Sequence, residues 1–200
     1  MGVADNRWKV TESPIELQIT RAAAKLYLRL DTSAEDAIVD DCIQAAVDYC
    51  ERELALALMD QEITLKLDYF PTGREIFLPM SNLLSVTSVT YVDGAGATQS
   101  FTDYTADTYQ TPGRIVNNTN TWPQIKDAAN VVTIVYRAGF KAYETGLINP
   151  IPTAIRQAIL MLITHWYDHR NAVFIGSGVA SDEIALAVTS LLQPYRRLGV

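Results

Sequence analysis

The apolar residues of this 200-residue chain change their period twice. They recur every three or four positions up to about residue 58, alternate between about residues 62 and 138, and return to helical spacing after Pro152. Periods of 3.6 and 2 call for different elements, so the chain is held to helices at both ends with strands between them. The expectation is an α+β fold: an α-helical body of about four helices, from residues 1–60 and 141–200, interrupted by an antiparallel β-rich insertion at 61–140.

The helical segments read as follows. Leu17–Leu30 carries a stripe through Ala24 and Leu28. Ser33 is expected to cap a second helix, 33–56, with Asp36 as an acidic capping-box partner. Along it Ile38, Cys42, Ala46, Tyr49 and Leu54, backed by Val39, Ile43 and Val47, form a face wide enough for contact on two sides. After Pro152, the residues Ile155, Ile159, Leu162 and Trp166 make a third stripe. Ser181 is expected to cap a fourth helix, with Asp182 and Glu183 in its first turn and Pro194 closing it.

The middle reads as about six strands. In EITLKLDYF, Ile63, Leu65, Leu67 and Tyr69 alternate with polar residues; REIFLP is a short second strand. SVTSVTYVD runs into a turn at Asp93-Gly94-Ala95-Gly96, and TQSFTDYTA returns from it. Pro112-Gly113 turns the chain before RIV, and NVVTIVYRAG is β-branched until Gly139 stops it. These suggest a small antiparallel sheet or sandwich.

Composition bounds the chemistry. Apolar residues are 48% of the chain and charged ones 20%, the balance of a chain that builds a core. No apolar run approaches a membrane span, and MGVADNRWKVTESP has no secretory core, so cytosolic synthesis is expected. Cys42 and Cys50 are eight residues apart on one helix, about 12 Å along its axis, too far to pair. They read as small buried apolar residues. A formal charge of −7, with Arg196-Arg197 as the one basic pair, argues against wrapping nucleic acid.

Catalytic patterns are weak. His165 and His169 are four apart on a helix, as two zinc ligands would be, but Trp166 stands where a zinc protease needs glutamate and no third ligand is identifiable. The competing reading has both imidazoles and Asp168 hydrogen-bonding around the helix end. Gly176-Ser177-Gly178 lacks the spacing of a nucleophile elbow, and Gly94-Ala95-Gly96 lacks the lysine of a phosphate loop. Asn117-Asn118-Thr119 matches a glycosylation sequon that means little without secretion. Tyr91, Tyr104, Tyr109 and Trp122 read as core or interface aromatics, with a ligand surface as the alternative.

Several segments, read in order, resemble one family. They are AAKLYLRLDTSAEDAIVDDCIQAAVDYCE, LDYFP with IFLP, LLSVTSVTYVDGAG, PGRIV, TWP, VYRAGF, and IPTAIRQAILMLITHWYDHR with LLQPYRR. Together they resemble the head–tail connector (adaptor) proteins of long-tailed DNA phages, prophages and gene-transfer particles, over most of residues 22 to 197. Two stretches depart: ELALALMDQ stands where a glycine turn often ends the second helix, and PMSNLL replaces a proline-rich approach to the next strand.

The resemblance implies a structural virion protein with no catalytic role, cofactor or membrane contact. Made in the host cytoplasm, it would sit at the head–tail junction as a ring under the portal protein, dodecameric when assembled. It would extend the DNA channel and dock the tail or the next neck or tail-completion protein. The residues fit this reading in three respects. The broad face of helix 33–56 is a candidate ring contact. Twelve copies at −7 each carry −84, so DNA passes as cargo that does not stick. Pro194, Tyr195, Arg196, Arg197 and Leu198, in a basic tail on an acidic protein, are the candidate portal-docking residues. The rivals are a metal-dependent hydrolase using His165 and His169, or another virion role in tail completion or capsid decoration.

Overall fold

The computed structural model describes residues 8–12, 19–140, 151–169 and 179–196. The helices are α1 (Arg21–Leu28), α2 (Asp36–Leu54), α3 (Thr153–Asp168) and α4 (Val179–Leu192), the last followed by a 3-10 turn at Gln193–Tyr195. The strands are β1 (Trp8–Glu12), β2 (Gln61–Leu67), β3 (Glu75–Phe77), β4 (Leu83–Val92), β5 (Thr98–Ser100), β6 (Tyr104–Asp107), β7 (Arg114–Asn117) and β8 (Val132–Ala138). This is an α+β fold. Contacts divide the chain into two units, 1–15 with 59–140, and 16–58 with 141–200. No described helix is long and apolar enough to cross a membrane.

In the helical unit α2 is the centre, touching α1, α3 and α4. Val39, Ile43, Ala46, Val47, Cys50 and Leu54 bury against Ile155, Ala158, Ile159, Leu162 and Ile163 of α3 and Val188 and Leu192 of α4. Each large aliphatic side chain so buried contributes about 1.5–3 kcal/mol. Tyr49 meets Trp166 edge to face at 6.1 Å, and the Tyr167 hydroxyl donates to the Glu35 carboxylate. The wide apolar face of α2 is therefore consumed inside the subunit. It is not available as the ring contact expected of it.

The helix ends differ from expectation. Thr20 caps α1, its hydroxyl accepting from the Ala23 N–H at 3.2 Å, while expected residues 17 and 18 lie outside the described residues. Ser33 does not cap α2 through its side chain: its carbonyl closes a turn onto the Asp36 N–H, and the helix starts only at Asp36. Asp36 instead receives Lys25 at 2.6 Å and Arg21 at 3.4 Å. Ser181 lies inside α4, which already runs from Val179, so it is not the cap. At the far end of α2, Ala55 takes the left-handed conformation at φ 51°, and the Leu56 N–H returns to the Glu51 carbonyl. This residue sits in ELALALMDQ, where the resemblance expects glycine. Met80, in PMSNLL, is likewise left-handed at φ 52°.

The other unit holds two antiparallel sheets, ordered β1-β2-β8-β4-β5 and β3-β7-β6. Strand β8 lies between β2 and β4, and its Val132, Ile134, Tyr136 and Ala138 are buried. Ile63 and Leu65 stand opposite Tyr136 and Ile134, which fixes the register, because a one-residue slip would turn this face to water. Strand β4 follows β8 only through irregularities at Leu83/Ser85 and Val86/Ser88. In the smaller sheet Ile76 stands opposite Ile115, both buried.

The described residues hold eight strands, where about six were expected. TQSFTDYTA is two: Thr98–Ser100 returns along β4, and Tyr104–Asp107 pairs with β7 in the other sheet. Trp8–Glu12, read from the sequence as no element, lies on the edge of β2. Tyr69 falls past the end of β2 and is exposed rather than part of its buried face.

Two glycines in the motifs that carried the resemblance have steric reasons. A Cβ on Gly113, in PGRIV, would lie 2.3 Å from Leu83 Cβ. On Gly139, in VYRAGF, it would lie 2.0 Å from the Met59 carbonyl oxygen, at φ +129°.

Candidate functional site

Helix α3 brings His165 and His169 one turn apart, with ring centroids 4.6 Å from each other. The His169 backbone N–H donates to the His165 carbonyl at 3.0 Å, and its ring Nδ1 lies 2.9 Å from the same oxygen. The Nδ1 of His165 is buried without a hydrogen-bond partner among the described residues. Burial, then the neighbouring His169, hold the His165 imidazole below its ordinary value, with Asp168 opposing. Asp168 is exposed and acts on His165 through its charge; among the described residues it makes no hydrogen bond of the kind expected of it. Among the described residues no three metal-ligating side chains gather anywhere. The pair closes the end of α3.

Other sequence candidates resolve locally. Asn117 is buried at the end of β7, with its side-chain oxygen accepting from the Thr119 N–H at 2.8 Å, so the sequon is closed to a glycan. Gly94 and Gly96 belong to a turn organised by Asp93, whose carboxylate accepts from Ala95 and Ala97 at 3.0 and 2.9 Å. The Gln99 amide and these backbone donors keep that carboxyl below its usual value. Gly176-Ser177-Gly178 lies outside the described residues. Cys42 and Cys50 are buried and form no disulfide; desolvation pushes the Cys50 thiol up to about 12.

The aromatics form one cluster in the β unit. Phe70 stacks on Trp122 at 4.6 Å and 5°, and Tyr91 and Phe101 pack around them, with Tyr104 on Phe101. The Trp122 indole donates to the Gly73 carbonyl at 2.7 Å. This is packing with a satisfied polar atom. Tyr109 stands apart, fully exposed. The sequence had not joined Phe70 and Phe101 to this group, because they lie far apart in the chain.

At the end of α4, Pro194 and Arg196 are exposed and Tyr195 is half-buried. Arg196 reaches Glu53 of α2 at 3.5 Å, an exposed pair worth little in stability. Arg197 and Leu198 lie outside the described residues. The sequence also missed two outward leucines, Leu26 of α1 and Leu186 of α4, which are 82% and 68% exposed. Each sits off its helix's buried stripe, and that offset was their signal.

The whole chain can be compared with known proteins. No curated protein matches it. Its fold is similar to a chain in the virion of a native gene transfer agent particle, at TM-score 0.77, 24% identity and 96% coverage of both chains. It is similar also to a chain in the neck of an empty particle of that kind computed with C6 symmetry, at TM-score 0.76, 24% identity and 96% coverage of both. A third, in the neck of a native particle computed with C12 symmetry, matches at TM-score 0.68 and 22% identity, covering 96% of this chain and 97% of the other. The model of the head completion protein family matches residues 18–198, all but the first 17 and last two residues of the chain. The chain therefore belongs to the head completion protein family, the group of phage head–tail connector and completion proteins.

Proposed function

We propose that this protein is a structural part of the head–tail junction of a phage-like particle, assembling as a ring under the portal. It extends the DNA channel and gives the tail, or the next neck or tail-completion protein, a face to dock on. The observation that carries this reading is the family match over residues 18–198. The similar chain in a neck computed with C12 symmetry supports a twelve-membered ring.

The physical parts fit such a role. A ring subunit has to hold its shape while its neighbours pull on it, and α2, packed against α1, α3 and α4, supplies that stiffness. With formal charge −7 on each copy, a ring carries a strongly negative field. Acidic side chains lining a channel repel phosphate, so DNA slides and is not held. Pro194, Tyr195 and Arg196, with Arg197 and Leu198 beyond, are proposed to meet the portal. Two bonds hold the start of this tail: the Arg196 N–H donates to the Gln193 carbonyl, and its guanidinium pairs with Glu53.

Co-sedimentation with the purified portal tests the proposal. Binding by the full chain, and its loss on removing 193–200, is expected. The truncation starts at Gln193 because Leu192 is part of the core. Persistent failure of the full chain to bind the portal would overturn the function, and undiminished binding by the truncated chain would overturn the tail's role.

A further inference from the structure

Strand β1 covers the edge of β2, and its main chain does most of the holding. Of its five residues Lys9, Val10, Thr11 and Glu12 are exposed, and Trp8 is half-buried. Trp8 and Val10 stand opposite Leu65 and Ile63, and a register shift between Val10 and Glu12 interrupts the ladder. The Thr11 hydroxyl lies 3.2 Å from the Glu62 carboxylate and 3.3 Å from the Thr64 hydroxyl. Glu12 reaches Arg137 of β8 at 3.7 Å, an exposed pair that adds little. A strand that buries so little apolar surface opens at a small fraction of the free energy that unfolds the chain.

The edge beneath it is firmly built. Strand β2 pairs with β8 along its whole length, and its Ile63 and Leu65 are buried. With β1 lifted away, the outer N–H and C=O groups of β2 form a template for an extended segment. The edge has a preferred occupant, because Glu62, Thr64 and Arg137 are placed to receive a threonine followed by an acid, the Thr11-Glu12 of β1. The strand is also remote in sequence from the edge it covers: the stretch 16–58, which forms the helical unit, lies between them. Residues 13–18 join Glu12 to Ile19, and seven Cα steps span at most about 25 Å. Any other β2 edge within that reach belongs to a copy in direct contact.

We infer that in the assembled ring β1 of each copy leaves its own β2 and pairs with β2 of the next copy. Every bond of the free chain is remade in the exchange, so little is lost in contacts, and the ladder passes from inside one copy to between two. In dilute solution the copy's own strand wins because it is tethered. Once the portal gathers copies side by side, a neighbour's edge is presented at a comparable effective concentration. Strands handed one way round make a head-to-tail link, which closes into a ring. Until then β1 shields the β2 edge of the free chain from edge-to-edge aggregation. The inference rests on the ring reading and names what joins the copies.

The test uses the full chain carrying Lys9→Cys with Thr64→Cys. These residues are partners across the β1–β2 pair, with Cα atoms about 4.5–5.5 Å apart, and neither is buried. Oxidised free in dilute solution, the double variant is expected to close within one chain and run as a monomer on a non-reducing denaturing gel. Assembled on the portal and then oxidised, it is expected to run as a ladder of dimers, trimers and larger species. A mixture of the two single variants is expected to give dimers on the portal and none without it. The native chain, whose thiols are buried, is the blank. A short bifunctional maleimide repeats each arm, so that a pair slow to oxidise still reports its partner. Assembled rings that link only within single chains would overturn the exchange and leave the ring standing. No link in either state would overturn the β1–β2 pairing and the exchange together. A chain that stays monomeric with the portal present would overturn the ring reading, and the exchange with it.

Discussion

Replacing Gly139 with alanine tests the steric account of the β unit. The added Cβ would sit 2.0 Å from the Met59 oxygen and 2.7 Å from the Asp60 nitrogen, both backbone atoms that no rotamer change can move aside. The φ of +129° is itself a strain for any L-residue, worth about 1–3 kcal/mol. Relief requires displacing Gly139 itself from its place between Asp60 and Asn82. That would break the Gly139 N–H bond to the Asn82 carbonyl at 3.0 Å and the Asn82 amide bond back to Gly139 at 3.2 Å. At about 1 kcal/mol for each bond, the total loss is about 4 kcal/mol. For a chain of this size that lowers Tm by roughly 8–16 °C. Amide hydrogen exchange should locate the damage, with protection lost along β2 and β8 and kept in α2 and α3. Gly73→Ala is the control, since its Cβ would meet nothing within 4 Å. A Gly139→Ala protein melting within about 4 °C of the native chain would refute the reasoning.

Ala55→Gly should act in the opposite sense, raising stability by about 1 kcal/mol, because alanine is strained at φ 51° and glycine is not. Urea unfolding reads it, and a neutral or destabilising result counts against the strain. The hydrogen bond from Arg21, then its charge, hold the Asp40 carboxyl below the ordinary value of 3.8. Its contribution is therefore complete above that value and is lost as pH falls through the lower folded one. Asp40→Asn should lower stability modestly at neutral pH, leave it unchanged at pH well below the folded value, and so flatten the acid limb below about pH 4; an unaltered limb would show that the pair is idle. Cys50, buried with its thiol pushed up to about 12, should resist iodoacetamide at pH 8 in the native chain and react once urea unfolds it. Rapid native labelling would contradict the packing of α2.

The long, one-sided elements were legible in the sequence. Over α2, α3 and β8 the buried positions keep one period for seven residues or more, and one face of each is closed to water. Several elements of three to five residues were not, because so short a run cannot establish a period: β1 was missed and β5 and β6 merged, although β3 was read from REIFLP by its flanking turns. The caps at Ser33 and Ser181 were misread for another reason. A capping residue is recognised by where the helix begins, and these helices run from Asp36 and Val179, not from the residues after Ser33 and Ser181. The face of α2 was recognised as broad, but a pattern cannot say whether a neighbouring helix or a neighbouring subunit covers it. Its own chain does. The outward Leu26 and Leu186 became visible only once α2 was filled, since they are what the core leaves over. At the histidine pair, the bond seen at the helix end is between the His169 ring and the His165 carbonyl, a backbone partner that side-chain pattern cannot foretell.

The central claim is one of place and number, so the most direct measurement is the copy number and position of this chain in purified particles. Quantitative mass spectrometry against the major shell protein, with gold labelling of a tagged chain, gives both. The account predicts twelve copies, the symmetry computed for the similar neck, all at the single vertex that bears the tail. Copies spread over the shell, or none in mature particles, would contradict it.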